Sequence, residues 1–389
     1  MKCQPSRGIP AASAGPVGEL RRTPRVGSMT ALRTALSVCL LPVLPWHEGG
    51  REAYLDAEQS GFAAAYTYDH LTWRMFRERP WFAALPTLTA AAAVTSRMRL
   101  GTLVTSPNFR HPVTLAKELM TLDDVSDGRV TLGVGAGGSG FDATALGQQA
   151  WTPRERSARF AEFVDLLDEL LREPATTRSG TYYSADEARS VPGCVQQPRI
   201  PFAIAATGPK GLRLAARLGQ AWVTTGDPTL GDATPADSVA AIGAQVQRLE
   251  QACADAGRAP AELGRILLTG FTPEGAHLLD SVDRLVDFVG RHAEVGITEV
   301  VVHGPAPDSP SRSTPSSSRA SPPPPSSSSP PRSRPGEPCR PPQPHRDCRC
   351  RTRIRRVVSD ICSLAVSLRA AGPVTQAATA VRRPTPRHR

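Results

Sequence analysis

The sequence predicts an α/β fold, a (β/α)8 TIM-type barrel, followed by a C-terminal tail that is rich in Pro, Ser and Arg. Between residues 31 and 304, apolar strand-like runs alternate with amphipathic helical stretches, which is typical of parallel strands joined by crossover helices. Eight candidate strands can be counted in this segment. A (β/α)8 barrel typically takes about 250 residues, so one barrel accounts for the whole segment.

The first half of the segment predicts four strands and four helices. The first strand, 36–43, is apolar almost throughout, as a strand that is buried on both faces requires. The helices follow from apolar residues three or four positions apart, as at Leu115, Leu119 and Leu122. In chain order the predicted elements are strand 36–43, helix 50–62, strand 63–70, helix 81–96, strand 99–107, helix 112–128, strand 129–137 and helix 158–173.

The second half supplies four more strands and three helices. Its predicted elements are strand 200–208, helix 210–219, strand 220–226, helix 237–256, strand 265–271, helix 281–296 and strand 298–304. A long connection, 174–199, precedes them and contains Tyr182. Because long loops without secondary structure are usually functional, the connection is predicted to form a lid or substrate wall, with Tyr182 in the substrate pocket.

The two ends of the chain differ from the barrel segment in composition. Residues 1–30 are predicted to be a disordered extension, with Met29 as an alternative start. Residues 305–389 form a low-complexity basic tail that cannot bury a core. Two explanations of the tail stay open: a reading-frame shift in a GC-rich gene, or a genuine tail in which 357–371 supplies the closing helix of the barrel.

Charge and cysteine usage limit the classes of function. The formal net charge is +10, but the barrel segment alone carries 25 basic and 31 acidic residues, so no nucleic-acid partner is predicted. The apolar run 31–45 is too short to span a membrane, and its alternative interpretation as a secretory signal lacks a small-residue cleavage site. The eight cysteines form no C-x-x-C pair, which predicts no metal site and favours a cytoplasmic protein.

The glycine-rich run 132–142 poses a separate question, because Gly135, Gly137 and Gly140 fit the pattern G-x-G-x-x-G. This pattern indicates a dinucleotide-binding turn when a helix opens on the third glycine and an acid follows about 20 residues on. Here Pro153 and a Gln/Trp cluster interrupt any immediate long helix. Two alternatives are a flexible loop and a barrel loop whose glycines let the backbone approach a flat ring.

Three long motifs carry a resemblance to a known family. In chain order they are GFAAAYTYDH, RLGTLVTSPNFRHPVTLAKELMTLDDVSDGRVTLGVGAG and IPFAIAATGPKGLRLAARLGQAWVTTGDP. Together they resemble the bacterial luciferase-like monooxygenase family over about residues 32–304. The resemblance implies a luciferase-like barrel with reduced FMN, or alternatively the deazaflavin coenzyme F-420 (F420), bound at the C-terminal end of the strands.

The resemblance also implies roles for residues that follow the second strand. His70 is the candidate catalytic residue, because the family places a histidine here beside the cofactor ring. Asp69 is assigned as a cofactor contact, and Trp73 is assigned to the substrate pocket.

Further cofactor contacts are implied at the ends of the third and fourth strands. They are Leu103, Val104, Thr105, Ala136 and Gly137. In the family, the positions of Leu103 and Val104 form a backbone bulge that supports the ring from behind. Some sugar-phosphate dehydrogenases of the deazaflavin branch then have a glutamate that acts as an acid. Gly138 stands in that place here, which argues against their particular chemistry.

A phosphate site is expected where helix 210–219 begins, because the N–H groups and the dipole of a helix start attract anions. Glycines there permit close approach, and the family has phosphate contacts at the neighbouring strand end. The residues assigned to this site are Thr207, Gly208, Lys210, Gly211, Thr224, Thr225 and Gly226.

Taken together, these assignments predict a flavin-dependent oxidoreductase that acts on a small-molecule substrate. The reduced cofactor either oxygenates the substrate with molecular oxygen, as in a monooxygenase, or transfers hydride directly, as in a deazaflavin-dependent reductase or dehydrogenase. A separate flavin reductase is an expected partner of the first route, and the family often forms homodimers. The competing interpretations are a non-catalytic flavin-binding barrel and a truncated, inactive product.

Overall fold

The computed structural model describes residues 34–230, 234–272 and 274–304. The strands are β1 (Ala35–Cys39), β2 (Ala64–Thr67), β3 (Arg99–Thr105), β4 (Val130–Gly135), β5 (Ala175–Arg178), β6 (Ala185–Arg189), β7 (Phe202–Ala205), β8 (Ala221–Thr224), β9 (Gly264–Leu268) and β10 (Glu299–His303). The α-helices are α1 (Gly50–Gln59), α2 (Ala84–Val94), α3 (Pro112–Val125), α4 (Pro153–Arg172), α5 (Pro209–Leu218), α6 (Pro235–Asp255) and α7 (Val282–Glu294).

Eight of these strands close into a parallel barrel. Their order is β1, β2, β3, β4, β7, β8, β9 and β10, and β10 pairs back to β1. The predicted (β/α)8 fold is therefore confirmed, and every predicted strand and helix overlaps an observed one. Several predicted strands run past the observed ends, because the chain turns there into the loops at the carboxyl end of the barrel.

Side chains of the barrel strands alternate between two apolar environments. Tyr66, Leu103 and Val301 belong to the cluster that fills the barrel. Leu132 and Trp222 belong to the larger cluster between the strands and the helices. Because both faces of each strand are buried, apolar residues are needed at successive positions, which explains the continuous apolar runs in the sequence.

One buried carboxylate joins the first and last strands at the amino end of the barrel. Glu299 begins β10, and its Oε1 accepts hydrogen bonds from Ser37 Oγ at 2.7 Å and from the Tyr66 hydroxyl at 3.1 Å. Its Oε2 pairs with Nη2 of Arg99, also at 3.1 Å. Side chains of β1, β2, β3 and β10 thus meet at a single carboxylate.

The connection 174–199 differs from the expected loop without secondary structure. It contains an antiparallel hairpin of β5 and β6. Glu162 of α4 fixes the turn, because its Oε1 accepts hydrogen bonds from the backbone N–H groups of Tyr182 and Tyr183, each at 2.7 Å. The two strands are short and mostly exposed, so they lack the apolar alternation that reveals a strand in a sequence.

The predicted extension 1–30, the tail 305–389 and the candidate closing helix 357–371 lie outside the described residues. Within the described ranges, no helix is both long enough and apolar enough to cross a membrane.

Candidate active site

His70 follows β2 at the carboxyl end of the barrel, where the active sites of this fold lie. Its Nδ1 is hydrogen-bonded to Oδ2 of Asp142, which belongs to the short 3₁₀-helix 141–143 after β4. The other carboxylate oxygen, Oδ1, accepts a hydrogen bond from the N–H of Leu71 at 2.8 Å. Asp142 is buried, whereas the His70 side chain keeps 29% of its surface exposed. The carboxylate therefore holds one side of the ring in place.

This arrangement decides which nitrogen of His70 is available for chemistry. An ionised carboxylate only accepts hydrogen bonds, so Nδ1 carries the proton in the pair with Asp142. Nε2 is left for a bound molecule, to which the neutral ring offers a base and the protonated ring offers an acid.

Three aromatic rings contact His70, those of Tyr68, Trp73 and Trp81, and Phe76 packs against both tryptophans. We call these four aromatic residues the aromatic wall. The Trp73 ring lies nearly parallel to the imidazole, with centroids 6.3 Å apart and 27° between the planes. Tyr68 meets His70 edge-on at 6.0 Å, and Nε1 of Trp81 donates to the carbonyl of His70 at 2.8 Å. The rings of Tyr68, Trp73 and Trp81 therefore limit the movement of the imidazole.

A second histidine lies behind the aromatic wall. His303, at the end of β10, is hydrogen-bonded through Nε2 to the Tyr68 hydroxyl at 2.7 Å. Burial lowers the pKa of His303 to about 4, so this ring is neutral near pH 7. Gly270 makes room for it, since a Cβ there would lie 2.2 Å from Cε1 of His303. The pair therefore supports the wall as an uncharged unit.

Asp69, which was assigned as a cofactor contact, is only 1% exposed. Both of its oxygens bind Arg110, with Nη2 at 2.7 Å and Nε at 3.0 Å. Oδ2 also accepts a hydrogen bond from the Thr105 hydroxyl at 2.9 Å. Asp69 and Thr105 thus lie in the scaffold that carries His70, and their contact with a cofactor stays a prediction.

The structure contains the bulge that was expected at Leu103 and Val104. The pairing of β3 with β4 shifts register between Thr102 and Thr105, and the Leu103–Val104 peptide bond is cis. Glycines on β4 make room for the bulge. A Cβ at Gly133 would lie 2.0 Å from the carbonyl oxygen of Thr102.

The G-x-G-x-x-G pattern has a different explanation from a dinucleotide turn. A Cβ at Gly135 would lie 2.9 Å from Cγ2 of Val104, so this glycine accommodates the bulge. Gly137 has φ +73° and lies against Asn108. Gly140 has open space around it and precedes only the 3₁₀-helix 141–143, and α4 begins later, at Pro153. The helix that a dinucleotide turn requires is therefore missing at this point of the described chain.

The loop after β3 contains two buried side-chain oxygens without partners among the described residues. Ser106 Oγ and Asn108 Oδ1 are buried and have no hydrogen-bond partner within the described part of the chain. Asn108 is held in place, because its Nδ2 donates to the carbonyl of Gly138 at 3.2 Å. Gly137 faces it, and a Cβ there would lie 2.7 Å from Asn108 Oδ1. Unsatisfied polar atoms in a cradle of this kind suit a ligand with its own donors.

The start of α5 has the features of an anion site. Its N-cap is Gly208, around which a Cβ would meet nothing within 4 Å, and Lys210 stands exposed in the first turn. Gly211 is required for packing, since a Cβ there would lie 2.6 Å from Cβ of Ala206. Pro209, the first residue of α5, has no N–H, so the N–H groups of Lys210 and Gly211 are the donors that the helix start offers to a phosphate oxygen. Thr207 is exposed beside them.

At the end of β8, the assigned residues Thr224 and Gly226 are hydrogen-bonded to Gln245, and their contact with a cofactor phosphate stays a prediction. The Thr224 hydroxyl donates to Oε1 of Gln245 in α6 and accepts from the N–H of Gly226 at 3.1 Å. Gln245 Nε2 in turn donates to the carbonyl of Gly226 at 3.1 Å, and Gly226 has φ +82°. Thr224 therefore builds the loop, and the half-buried Thr225 is the hydroxyl left for a ligand.

Tyr182, assigned to the substrate pocket, packs against Arg159 of α4. Its ring covers the guanidinium of Arg159 at 4.4 Å, and Trp151 covers the same group at 4.1 Å. Among the described ring contacts, none joins Tyr182 to the aromatic wall. Trp73, the other residue assigned to the pocket, does stand beside His70.

Sequence reasoning missed Asp142 and His303. His303 lies at the carboxyl end of a barrel strand, as His70 does. A histidine at such a position was the signal in the sequence from which His303 could have been found. Asp142 had only the weaker signal of an acid within a glycine-rich loop. In the described ranges, no group of three or more His, Cys, Asp or Glu side chains is arranged to hold a metal ion.

The sequence profile of the luciferase-like monooxygenase family matches residues 47–272. The chain is 40% identical over 179 residues to an F420-dependent glucose-6-phosphate dehydrogenase of Beutenbergia cavernae, which covers 43% of this chain and 50% of that protein. It is 32% identical over 223 residues to an uncharacterized protein of Mycobacterium tuberculosis, covering 57% of this chain and 68% of that one. The chain thus spans about half the length of the first of these relatives.

The fold is similar to that of the coenzyme F420-dependent tetrahydromethanopterin reductase from Methanopyrus kandleri. The TM-score is 0.55 at 19% sequence identity, and the match covers 70% of this chain and 94% of the reductase. This likeness supports the barrel architecture described above.

Proposed function

Because the chain belongs to the luciferase-like monooxygenase family, we propose that it is an oxidoreductase that uses a flavin-type cofactor, with F420 favoured over FMN. The observation that carries the proposal is His70, held through Nδ1 by Asp142 beside the aromatic wall at the barrel mouth. The preference for F420 rests on the relatives, several of which are named F420-dependent glucose-6-phosphate dehydrogenases at 35–40% identity.

The described residues suggest where such a cofactor would be held. Its phosphate would meet the open N–H groups of α5 and the ammonium of Lys210. Its ring would rest on the bulge at Leu103 and Val104, with Ser106 and Asn108 offering their unpaired oxygens. When bound, a deazaflavin supplies two-electron redox chemistry to a small organic substrate.

The protein's own contribution is to move and hold a proton. Nε2 of His70 gives a proton to the reacting oxygen or nitrogen of the substrate, or removes one from it. Asp142 keeps the ring oriented. The rings of Tyr68 and Trp73 pack against His70 and limit its movement.

We do not infer the substrate of this chain from the substrate named for its relatives. Gly138 stands where the resemblance places a glutamate, and Asp142, four residues later, turns its carboxylate toward His70. We therefore propose a small organic substrate whose protonation depends on His70, and we do not assign a sugar phosphate.

A titration of the purified chain with F420 and, separately, with FMN tests the cofactor proposal. We expect F420 to bind with a Kd in the micromolar range and FMN to bind at least about tenfold more weakly. Lys210→Gln should weaken F420 binding by about fivefold, because it removes a charge near the helix start. As a control, Arg51→Gln removes an exposed charge from α1 and should leave the affinity for F420 unchanged. Failure of the wild type to bind either cofactor would overturn the proposal.

A monooxygenase reaction with molecular oxygen is the second candidate. The family profile that matches the chain, that of the luciferase-like monooxygenases, favours it. Turnover with reduced FMN that consumes one oxygen per product would support this candidate. Turnover that continues with F420 under anaerobic conditions would support direct transfer instead.

A further inference from the structure

His303 is a second imidazole at the mouth of the barrel, besides His70. It ends β10, in which Val300 and Val302 face the helices and Val301 fills the barrel. Because side chains alternate along a strand, His303 points inward as Val301 does. Inward-facing side chains at the carboxyl end of the strands line the active site of this fold, and the His303 ring is half-buried there.

Tyr68 brings the two imidazoles close to each other. Its ring meets His70 edge-on with the centroids 6.0 Å apart, and it meets His303 edge-on with the centroids 5.7 Å apart. Tyr68 is only 4% exposed, so packing fixes the spacing of the two imidazoles. One small organic molecule at the mouth therefore lies within reach of both rings.

The hydrogen bond with Tyr68 determines which nitrogen of His303 carries a proton. Burial raises the pKa of Tyr68, so its hydroxyl keeps its proton. Within the described ranges, the acceptor of that proton is Nε2 of His303, 2.7 Å away. Burial also lowers the pKa of His303 to about 4, so the ring is neutral near pH 7. Since Nε2 accepts, the single ring proton lies on Nδ1.

Nδ1 of His303 is thus a hydrogen-bond donor, and it has no partner in the described part of the chain. It is not enclosed by protein, as the unpartnered Nε2 of His292 is, so a ligand can reach it. An ionised ligand group beside the uncharged Tyr68–His303 pair would gain no opposite charge from the pair. The donor therefore suits an uncharged oxygen, as in a carbonyl, a hydroxyl or an ether.

We propose that Nδ1 of His303 binds a second, uncharged oxygen of the substrate, while Nε2 of His70 serves the reacting group. This inference rests on the proposed function, because it takes the barrel mouth as the substrate site. The substrate class is then a small neutral molecule with two oxygen functions, such as a hydroxy ketone or a ring ketone that contains an ether oxygen. In this role His303 determines specificity and takes no part in proton transfer.

NMR on the full chain with isotope-labelled histidine and no cofactor tests the predicted proton position. The His303 signals are identified by their absence from His303→Gln. We expect a protonated Nδ1 and an unprotonated Nε2 near pH 7. A wild-type His303 that is protonated on Nε2 overturns the proposal, whichever cofactor the chain binds.

Two ring ketones of similar shape test the contact with a ligand. Tetrahydropyranone with its ring oxygen opposite the carbonyl differs from cyclohexanone only in having that oxygen in place of a methylene group. NMR titrations should show that the wild type binds tetrahydropyranone about fivefold more tightly, the effect of one net hydrogen bond, with a shift of the His303 Nδ1 signal. No binding of either ketone, both to the chain alone and to the chain loaded with a cofactor, overturns the proposal.

Variants of His303 separate this contact from a structural role. His303→Leu should abolish the preference and leave the affinity for cyclohexanone unchanged, whereas His303→Gln keeps an amide donor and should retain most of the preference. His47→Leu, which removes an exposed histidine, should bind both ketones as the wild type does. A preference that survives in His303→Leu overturns the proposal.

Two further outcomes have a defined meaning. If His303→Leu does not fold, the proton position and the Nδ1 shift in the wild type decide alone. Failure to bind F420 or FMN would overturn the proposed function but not this assignment, because both NMR measurements are also made on the chain without a cofactor.

Discussion

At the level of single residues, the hydrogen bond that Nδ1 of His70 donates to Asp142 determines which imidazole nitrogen faces the barrel mouth. Asp142→Asn keeps the size of the side chain but removes the charged acceptor, so neither the Nδ1 proton nor the ring orientation stays fixed. The equivalent change in a Ser-His-Asp triad lowers turnover about 10,000-fold. We expect kcat to fall at least about 100-fold with little change in KM, measured by steady-state kinetics on the cofactor absorbance.

Two comparisons separate positioning by Asp142 from a general effect of charge. Asp186→Asn removes an exposed charge from β6 and should leave kcat unchanged. If Asp142 acts through His70, a double variant with His70→Ala should be no slower than His70→Ala alone. Losses that add up in the double variant would contradict a positioning role.

His303 makes the stability of the protein depend on pH. Burial lowers its pKa to about 4 in the folded state, against about 6.5 in the unfolded chain. As the pH falls below about 6.5, the unfolded chain binds the proton first, so the free energy of unfolding decreases until the pH passes about 4. The contribution that is present near neutral pH and lost in acid is at most about 3 kcal/mol.

Urea unfolding at about pH 7 and about pH 4.5 measures this contribution. His303→Gln keeps an acceptor for the Tyr68 hydroxyl but does not titrate. From about pH 7 to about pH 4.5, the free energy of unfolding should fall in both proteins. The fall should be about 1 to 3 kcal/mol smaller in the variant than in the wild type. An equal loss in both proteins would show that His303 is not the group responsible.

The location of His70 and Trp73 at the barrel mouth could be predicted, because the end of a barrel strand is a restricted position with a known place in the fold. Their roles in catalysis and substrate binding stay predictions. Asp142 could not be predicted in this way, because it contacts His70 across 72 residues of sequence. Only the closed barrel brings the loops after β2 and β4 together. The ion pair of Asp69 with Arg110 was hidden in the same way, because the two residues lie 41 positions apart. The contact of Asp69 with a cofactor stays a prediction.

At the level of elements, the bulge in β3 depends on glycines in β4. Gly133→Ala would place a Cβ 2.0 Å from the backbone oxygen of Thr102, so the strand pair must shift. We expect a loss of about 2 to 4 kcal/mol in the free energy of unfolding, together with weaker cofactor binding because the bulge moves. Urea unfolding and the F420 titration measure the two effects.

Gly140→Ala is the matched control from the same glycine run. A Cβ at this position meets nothing within 4 Å, so stability should change by less than about 0.5 kcal/mol. If the loop were a dinucleotide-binding turn, Gly140→Ala would strongly weaken cofactor binding, because the third glycine is essential to that fingerprint. A strong effect of Gly140→Ala on binding would therefore contradict the role of this loop described here.

The barrel elements could be predicted from their pattern, and the β5–β6 hairpin could not. Barrel strands are buried on both faces and helices on one, so each leaves a periodic trace in the sequence. The hairpin strands, ATTR and ADEAR, are mostly exposed, and their turn is fixed by Glu162 on a different element. Because residues of another element stabilise the hairpin, its own residues show no pattern from which it could be predicted.

At the scale of the whole molecule, Glu299 joins the last strand of the barrel to its first three strands. Glu299→Gln preserves size but leaves Arg99 without its charged partner. Breaking a fully buried pair typically costs about 3 to 5 kcal/mol. The Arg99 side chain is 46% exposed, so solvent screening reduces the expected loss to about 1 to 2 kcal/mol, measured by urea unfolding at low salt.

Glu262→Gln provides the comparison for this variant. Glu262 is 67% exposed and lies 3.9 Å from Arg258, so its replacement should change stability by less than about 0.5 kcal/mol. Equal losses in the two variants would indicate that net charge, and not the joining of the strands, is responsible.

The bond from Ser37 to Glu299 spans 262 residues, which has a consequence for the synthesis of the chain. The barrel cannot close until its last strand has left the ribosome, and contacts of such separation form slowly. At about 5 to 20 residues per second, the growing chain keeps two open strand edges for tens of seconds. Open edges invite pairing with other chains, so aggregation threatens this protein most during translation, before Glu299 has been added.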